Sequence, residues 1–270
     1  MTEVVKDGDG MKLLEQFILG KKNDPSLCED GIVITDNFIA VLDGVTAKSN
    51  RTFWGKSGGR AAMEAARAII EISPAITEKD ILFRNINKAI RELYDGSNYG
   101  EAAVCVCIYS RFFKEIWSMG DCQYLVNGHH YCDEKEIDTI YSRVRSAILE
   151  KAVRNGSLTD DKDPGRQYIM PLLKNQHLFA NSNTKYSYPL LNGSDFDTNH
   201  IISTKVCDGD IVILATDGYP KLFDTLKESE SYLAYVIEND PMCYKIHIST
   251  KGIEKGNVSF DDRAYVKFVV

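Results

Sequence analysis

Between Glu101 and Gly128 three apolar, strand-like runs, "EAAVCVCIYS", "KEIWSMG" and "CQYLVNG", are joined by links of only a few residues. A parallel pair needs a crossover of roughly a dozen residues, so links this short demand antiparallel pairing. The same constraint returns in "GIVITDNFIAVLDG" (Gly31 to Gly44), where Asp36-Asn37 splits two β-branched runs into a hairpin. "HIISTKV", "DIVILATDG" and the terminal "RAYVKFVV" read as further strands.

Helical periods lie between these runs. Gly55 to Ile72 repeats Ala62, Ala65, Ala66, Ile69 and Ile70 on one face and stops before Pro74. Thr77 to Gly96 opens with acids in its first turn and carries the stripe Ile81, Leu82, Ile86, Ala89, Ile90 and Leu93. Lys135 to Gly156 reads as a long amphipathic helix with a Gly stop, and "KLFDTLKESESYLAYVIEN" as another. The stretch from Ser157 to Asn199 is polar, with room for one helix near Ile169 to Asn175; a mobile flap or insertion is expected there. Hairpins rather than strand–helix alternation predict an α+β fold, helices layered on antiparallel sheets, in a single domain over residues 1–270.

Composition excludes some partners. A net charge of −7 without basic clusters argues against nucleic acid. No apolar run approaches the roughly 18 residues of a membrane span, and no membrane partner is expected. The seven cysteines lie mostly in apolar runs without CxxC spacing, and the N-terminus lacks an apolar signal core. A cytoplasmic protein without structural zinc is therefore expected.

Four acidic punctuations flank the apolar runs: Glu29-Asp30, Asp43-Gly44, Asp217-Gly218 and Asp261-Asp262. Carboxylates at strand ends suit hard cations such as Mg²⁺ or Mn²⁺, and a glycine after the acid leaves a carbonyl accessible. Each Asp-Gly taken alone is more simply a turn, as Asp95-Gly96 and Asp208-Gly209 are read. If the four segments meet in space, they form a two-cation site for hydrolysis of phosphate esters.

The order of these segments resembles that of the metal-dependent serine/threonine protein phosphatases, the protein phosphatase 2C-like or PPM family. "CED" (Cys28 to Asp30) is similar to its early Glu-Asp motif, and "AVLDGV" (Ala40 to Val45) to its strand-end Asp-Gly motif. "GEAAVCVCI" (Gly100 to Ile108), "SMGDCQYLVNG" (Ser118 to Gly128), "GDIVILATDGYPKLFD" (Gly209 to Asp224) and "SFDDRAYVKFVV" (Ser259 to Val270) resemble later motifs in the same order. The resemblance implies two antiparallel sheets sandwiched between helix layers and a phosphorylated protein as substrate. It implies two Mg²⁺ or Mn²⁺ ions bridged by Asp43, one touching the Gly44 carbonyl, the other completed by Asp217 and Asp261. Glu29 would hold a coordinated water and share the catalytic role with Asp43, and Asp121 would take a further, weaker ion.

Departures from the family pattern surround this set. Its frequent phosphate-binding Arg is Pro25 here, leaving Lys21, Lys22, Arg51 and Arg60 as candidates to replace it. Val45 stands where animal members often carry His, and Val45 to Gly59 is longer and less Gly-rich than usual. A non-catalytic binding module and a hydrolase of small phosphate esters stay open as alternatives.

Other patterns carry less. Cys105 to Arg111 has C-x5-R spacing without a Gly-rich loop. Gly55-Lys56-Ser57 resembles the end of a P-loop whose first Gly is replaced by Asn50. His129-His130 reads as an exposed turn pair and Lys251 as a solvated loop lysine.

Overall fold

A computed structural model describes residues 11–46, 48, 51–96, 99–158 and 163–270; Asn50 lies outside them. The strands are β1 (Lys12–Leu19), β2 (Asp30–Ile34), β3 (Phe38–Gly44), β4 (Val104–Ser110), β5 (Glu115–Met119), β6 (Gln123–Val126), β7 (His129–Cys132), β8 (Ile202–Lys205), β9 (Ile211–Ala215) and β10 (Arg263–Val269). The helices are α1 (Gly58–Ile72), α2 (Lys79–Arg91), α3 (Glu136–Arg154), α4 (Pro164–Lys174) and α5 (Leu226–Asn239). One sheet runs β2-β3-β4-β5-β8 and the other β1-β10-β9-β6-β7, all pairings antiparallel. The α+β expectation holds.

Strand alternation sorts the core into layers. Phe38, Ala40 and Leu42 of β3, with Val104, Val106 and Ile108 of β4, face α1 and α2. The intervening Ile39, Val41, Cys105 and Cys107 face the second sheet, meeting Val212, Leu214, Ala264, Val266 and Phe268. The far side of that sheet packs Ile213, Ala215 and Tyr265 beneath Tyr219, Leu222 and the start of α5. Residues of α3 and α4, Ile137, Tyr141, Ile169 and Leu173, join the core between the sheets. Within the polar stretch before β8, Tyr188 and Leu190 join that same core, and Leu191 accepts a backbone hydrogen bond from Val104.

Three local readings differ from the sequence expectation. The strand run after β5 does not continue the meander: Gly120-Asp121 carries the chain across to the other sheet, where β6 pairs with β9 and β7. Gly120 has φ +91°, and an added Cβ would lie 2.3 Å from the Cys105 sulfur, so only glycine makes this turn. His129-His130 begins the strand β7 rather than forming a turn; the turn is Asn127-Gly128, both at positive φ, the usual two-residue hairpin chemistry. Finally, β1 escaped the sequence reading; it pairs along β10 and brings Gly20 and Lys21 towards the start of that strand.

One buried cation ties the periphery together. The Arg145 side chain on α3 is 0% exposed. It donates to the Asp163 carboxylate before α4 and to the carbonyls of Met242, Cys243 and Ser249. Gly165 packs so closely that a Cβ there would sit 2.7 Å from the Arg145 side chain. The 242–249 loop is thereby fixed to two helices just before Lys251. Arg145→Met strands these acceptors and should lower stability by about 3 kcal/mol or more, read from urea unfolding midpoints.

Candidate metal centre

Asp43 continues the inner face begun by Ile39 and Val41, so its carboxylate emerges between the two sheets where β3 ends. Asp30 sits opposite it in register on β2. Asp217 lies just past β9, Asp261 and Asp262 just before β10, and Asp121 in the crossover between sheets. All these strands finish at one end of the sandwich. Asp43, Gly44, Asp121, Asp217 and Asp261 line one cavity of about 840 Å³. Glu29 sits behind Thr46, which also lines it.

Gly44 is required by backbone crowding. A Cβ there would lie 2.5 Å from both the Glu29 and Gly59 carbonyl oxygens, and its N–H donates to Glu29 O at 3.2 Å. Gly218 is crowded in the same way by the Asp262 carbonyl, 2.0 Å from where a Cβ would be. These glycines hold the acid-bearing strand ends together.

The acids divide into two groups. Burial first, then the charges of Asp217, Asp30 and Asp121, push the Asp43 carboxyl well above its ordinary range. Burial, Asp261 and Asp121 push Asp217 up to about 7. Asp30 is also raised, chiefly by burial, and its buried Oδ2 has no hydrogen-bond partner. Among the described residues neither Asp43 nor Asp217 forms a side-chain hydrogen bond or ion pair.

The other group is neutralised by lysines. Lys135 Nζ lies 2.7 Å from Asp121 Oδ2; burial would raise that carboxyl, but the ammonium outweighs it and holds it low. Lys251 pairs with Asp261 Oδ2 and Lys21 with Asp261 Oδ1 at 3.1 Å. Together they overcome burial and hold Asp261 far below the usual carboxylate range. Glu29 accepts from the hydroxyls of Thr46 and Ser57, each at 2.6 Å. Asp262 is a brace, accepting the backbone N–H groups of Lys21 at 2.7 Å and Glu29 at 3.0 Å.

The structure thus brings Asp43, Asp121, Asp217 and Asp261 to one cavity with Glu29 behind it, yet among the described residues no three His, Cys, Asp or Glu side chains are grouped tightly enough to hold a metal. The donor chemistry of Asp43 and Asp217 fits a hard divalent cation: buried oxygen donors that make no direct ion pair among the described residues, beside the orphaned oxygen of Asp30. Asp261 and Asp121 instead carry ammonium partners.

Three expectations change here, for Lys251, Arg51 and Arg60, while the two discounted patterns stay discounted. Lys251 is a cavity residue, not a solvated loop lysine. Arg51 pairs with Glu101 at 3.2 Å and lies over the rings of Phe53 and Tyr94, away from phosphate duty. Arg60 holds the carbonyls of Pro25 and Cys28 at 3.0 and 2.6 Å, supporting the loop before Glu29. The Gly55-Lys56-Ser57 stretch ends as the N-cap of α1, Ser57 accepting from Arg60 N. Cys105 is wholly buried, its thiol pushed far up by burial, which removes it as a nucleophile.

No protein-family profile matches the sequence, and no curated protein is similar to it. The structure does align with the Mycobacterium tuberculosis serine/threonine phosphatase PstP/Ppp, with a TM-score of 0.51 and 13% identity over 96% of this chain and 98% of that one. The fold is that of the PPM phosphatases. RsbX in complex with magnesium aligns at a TM-score of 0.49 and 11% identity, covering 100% of this chain and 99% of that one. The PstP catalytic domain in complex with two manganese ions aligns at 0.49 and 12%, covering 96% and 97%.

Within the PPM fold the sequence reading missed Lys21, Lys135, Thr46 and Ser57 as partners of the acids. Thr46, two residues past Gly44, was the nearest to a readable signal. Lys135 meets Asp121 only because β6 and β7 fold back as a hairpin. The mutual repulsion of Asp43 and Asp217 gives a direct test. Asp43→Asn should stabilise the cation-free protein by about 1 kcal/mol or more. It should also abolish any rise in Tm that the parent protein shows with millimolar Mn²⁺, both read by thermal unfolding.

Proposed function

We propose that this protein is a divalent-cation-dependent phosphomonoester hydrolase acting on phosphorylated serine or threonine in proteins. The observation that carries this is the buried pair Asp43 and Asp217, neither in a direct ion pair, at the mouth between the sheets of a PPM fold. These two carboxylates would hold Mg²⁺ or Mn²⁺. When bound, such a cation neutralises phosphoryl charge and acidifies an attacking water.

The chain's own groups complete the arrangement. Glu29 is held by the Thr46 and Ser57 hydroxyls, one on each carboxylate oxygen, close behind the cavity. Lys48, Lys251 and Arg166 line the same cavity and repel one another, so a phosphate dianion is a favourable occupant between them. With Arg51 and Arg60 engaged elsewhere and Lys251 paired with Asp261, Lys48 and Arg166 are the groups available to grip phosphoryl oxygens. Lysines act as point charges and Arg166 as a planar donor. Free thiols, Cys132 and Cys207 exposed among them, suit a reducing cytoplasm. Among the described residues no helix is long and apolar enough to cross a membrane.

A second reading, a non-catalytic binding module, is favoured by the lysines on Asp261 and Asp121. An assay separates the two. Hydrolysis of an aryl phosphate and of phosphoserine and phosphothreonine peptides is expected with Mn²⁺ or Mg²⁺ and not with chelator. Asp43→Ala should lose about two to three decades of rate while keeping its fold, the equivalent of several kcal/mol of electrostatic stabilisation. Absence of turnover in either metal, with folded protein, would leave the binding module.

A further inference from the structure

The chain has two tryptophans, placed in opposite ways. Trp117 is 1% exposed and Trp54 78%. Trp54 lies in the long segment between Val45 and Gly59, where it and Gly55 form the tip of a tight turn. Phe53 and Lys56 close that turn by exchanging backbone hydrogen bonds at 2.8 and 3.0 Å. Both tip residues have positive φ, +51° for Trp54 and +79° for Gly55. A turn of this kind favours Asn, Asp or Gly, and a β-carbon there is unfavourable. Among the described residues Trp54 is the only aromatic at positive φ. A single exposed apolar residue is ordinary. One held in a disfavoured backbone conformation, with little packing inside the chain to offset it, is not.

The turn is firmly seated beside the mouth. Phe53 is buried, its ring edge-on to Tyr94 at 5.1 Å and the Arg51 guanidinium 5.0 Å from its centre. Tyr94 Oη accepts the N–H groups of Gly100 at 3.2 Å and Ala102 at 2.6 Å. Arg51 pairs with Glu101, and Gly100 and Glu101 both line the cavity that holds the acids. On the other flank Ser57 Oγ donates to Glu29. Trp54 is three residues from Arg51 and three from Ser57, roughly 11 Å of chain at full extension. Its indole is therefore presented at the rim of the mouth on a turn that the fold holds still.

We infer that Trp54 is a substrate-docking residue, whose indole packs against an apolar side chain of the phosphoprotein a few residues from the phosphorylated serine or threonine. This rests on the hydrolase reading above and narrows its substrate class. A polypeptide whose phosphate enters the cavity must run out over the rim. An extended chain advances about 3.3 Å per residue, so the side chain that reaches Trp54 belongs to a residue about three or four positions away. The nearby charges favour an apolar contact over an ionic one, because Lys56 is paired with Glu64 and Arg51 with Glu101. Tryptophan is enriched among the residues that dominate binding energy, and its flat ring has only two torsions to immobilise. With the turn already ordered, little further ordering is needed on binding. A small phosphate ester would leave this residue unused.

The test compares two phosphoserine peptides, identical except for leucine or serine three and four positions from the phosphorylated residue. For binding, each carries a non-hydrolysable phosphonate and a fluorescent label, and is titrated with the full chain in Mn²⁺ while label anisotropy and tryptophan emission are followed. Turnover of the phosphate forms is measured alongside. The leucine peptide is expected to bind about tenfold more tightly and to move tryptophan emission to shorter wavelength. Both effects should vanish in Trp54→Gly, which relieves the strained position and should unfold at the same temperature as the parent or higher. Equal affinity for the two peptides, with turnover of both, would overturn the docking role and leave the hydrolase reading intact. A leucine preference retained in folded Trp54→Gly would also overturn it. So would leucine-peptide binding without an emission change, an arm that uses the parent chain alone. Neither binding nor turnover of either peptide would overturn both readings together.

Discussion

Like-charge repulsion at the mouth of the sandwich is the constraint to which the rest of the site answers. Strands from both sheets end at the same place, and seven carboxylates, Glu29, Asp30, Asp43, Asp121, Asp217, Asp261 and Asp262, come with them. Burying charge without a partner costs several kcal/mol per ion. Lys21, Lys135 and Lys251 offset part of that, and the Thr46 and Ser57 hydroxyls hold Glu29. What is left over, on Asp43, Asp217 and Asp30, is displaced towards protonation. The fold contributes the rest through glycines that allow the backbones to crowd together and through arginines that fix the flanking loops.

The fold was legible because its signals are local. Short links between β-branched runs allow only antiparallel pairing, and the helical stripes of α1 and α2 name the face that covers the first sheet. The acids were legible as well, because Asp43 follows an unbroken strand period and cannot point elsewhere than between the sheets. What the sequence hid are contacts across long separations. Lys21 reaches Asp261 over 240 positions only through the pairing of β1 with β10, and β1 itself alternates weakly. Lys251 sits in a Gly-punctuated loop that looks solvated until Arg145 draws that loop inward. The crossover at Gly120 was misread because a link of a few residues looks like a hairpin; the φ of Gly120 and the Cys105 sulfur behind it decide otherwise.

The departure at Pro25 also has a physical explanation. Pro25 and Cys28 turn their carbonyls to Arg60, so this loop is clamped from outside by an arginine of α1 rather than offering an arginine inward. Lys48, Arg166 and Lys251, from segments far apart in the chain, bring positive charge to the cavity that Asp43 and Asp217 line. Recognition of a phosphate there would depend on the packing of α4 and the loop before β10 more than on the strand ends that carry the acids.

Arg145 gives that dependence a dynamic meaning. Its hydrogen bonds to the 242–249 carbonyls, and the Asp240 carboxylate that accepts the N–H groups of residues 244–247, convert an irregular loop into part of the protein's rigid interior. Amide protons in this loop should then exchange with solvent at the slow rate of global opening, not at the fast rate of a surface loop. The backbone that leads to Lys251 is thus held as firmly as the helices it touches, and only the lysine side chain itself is free to move at Asp261.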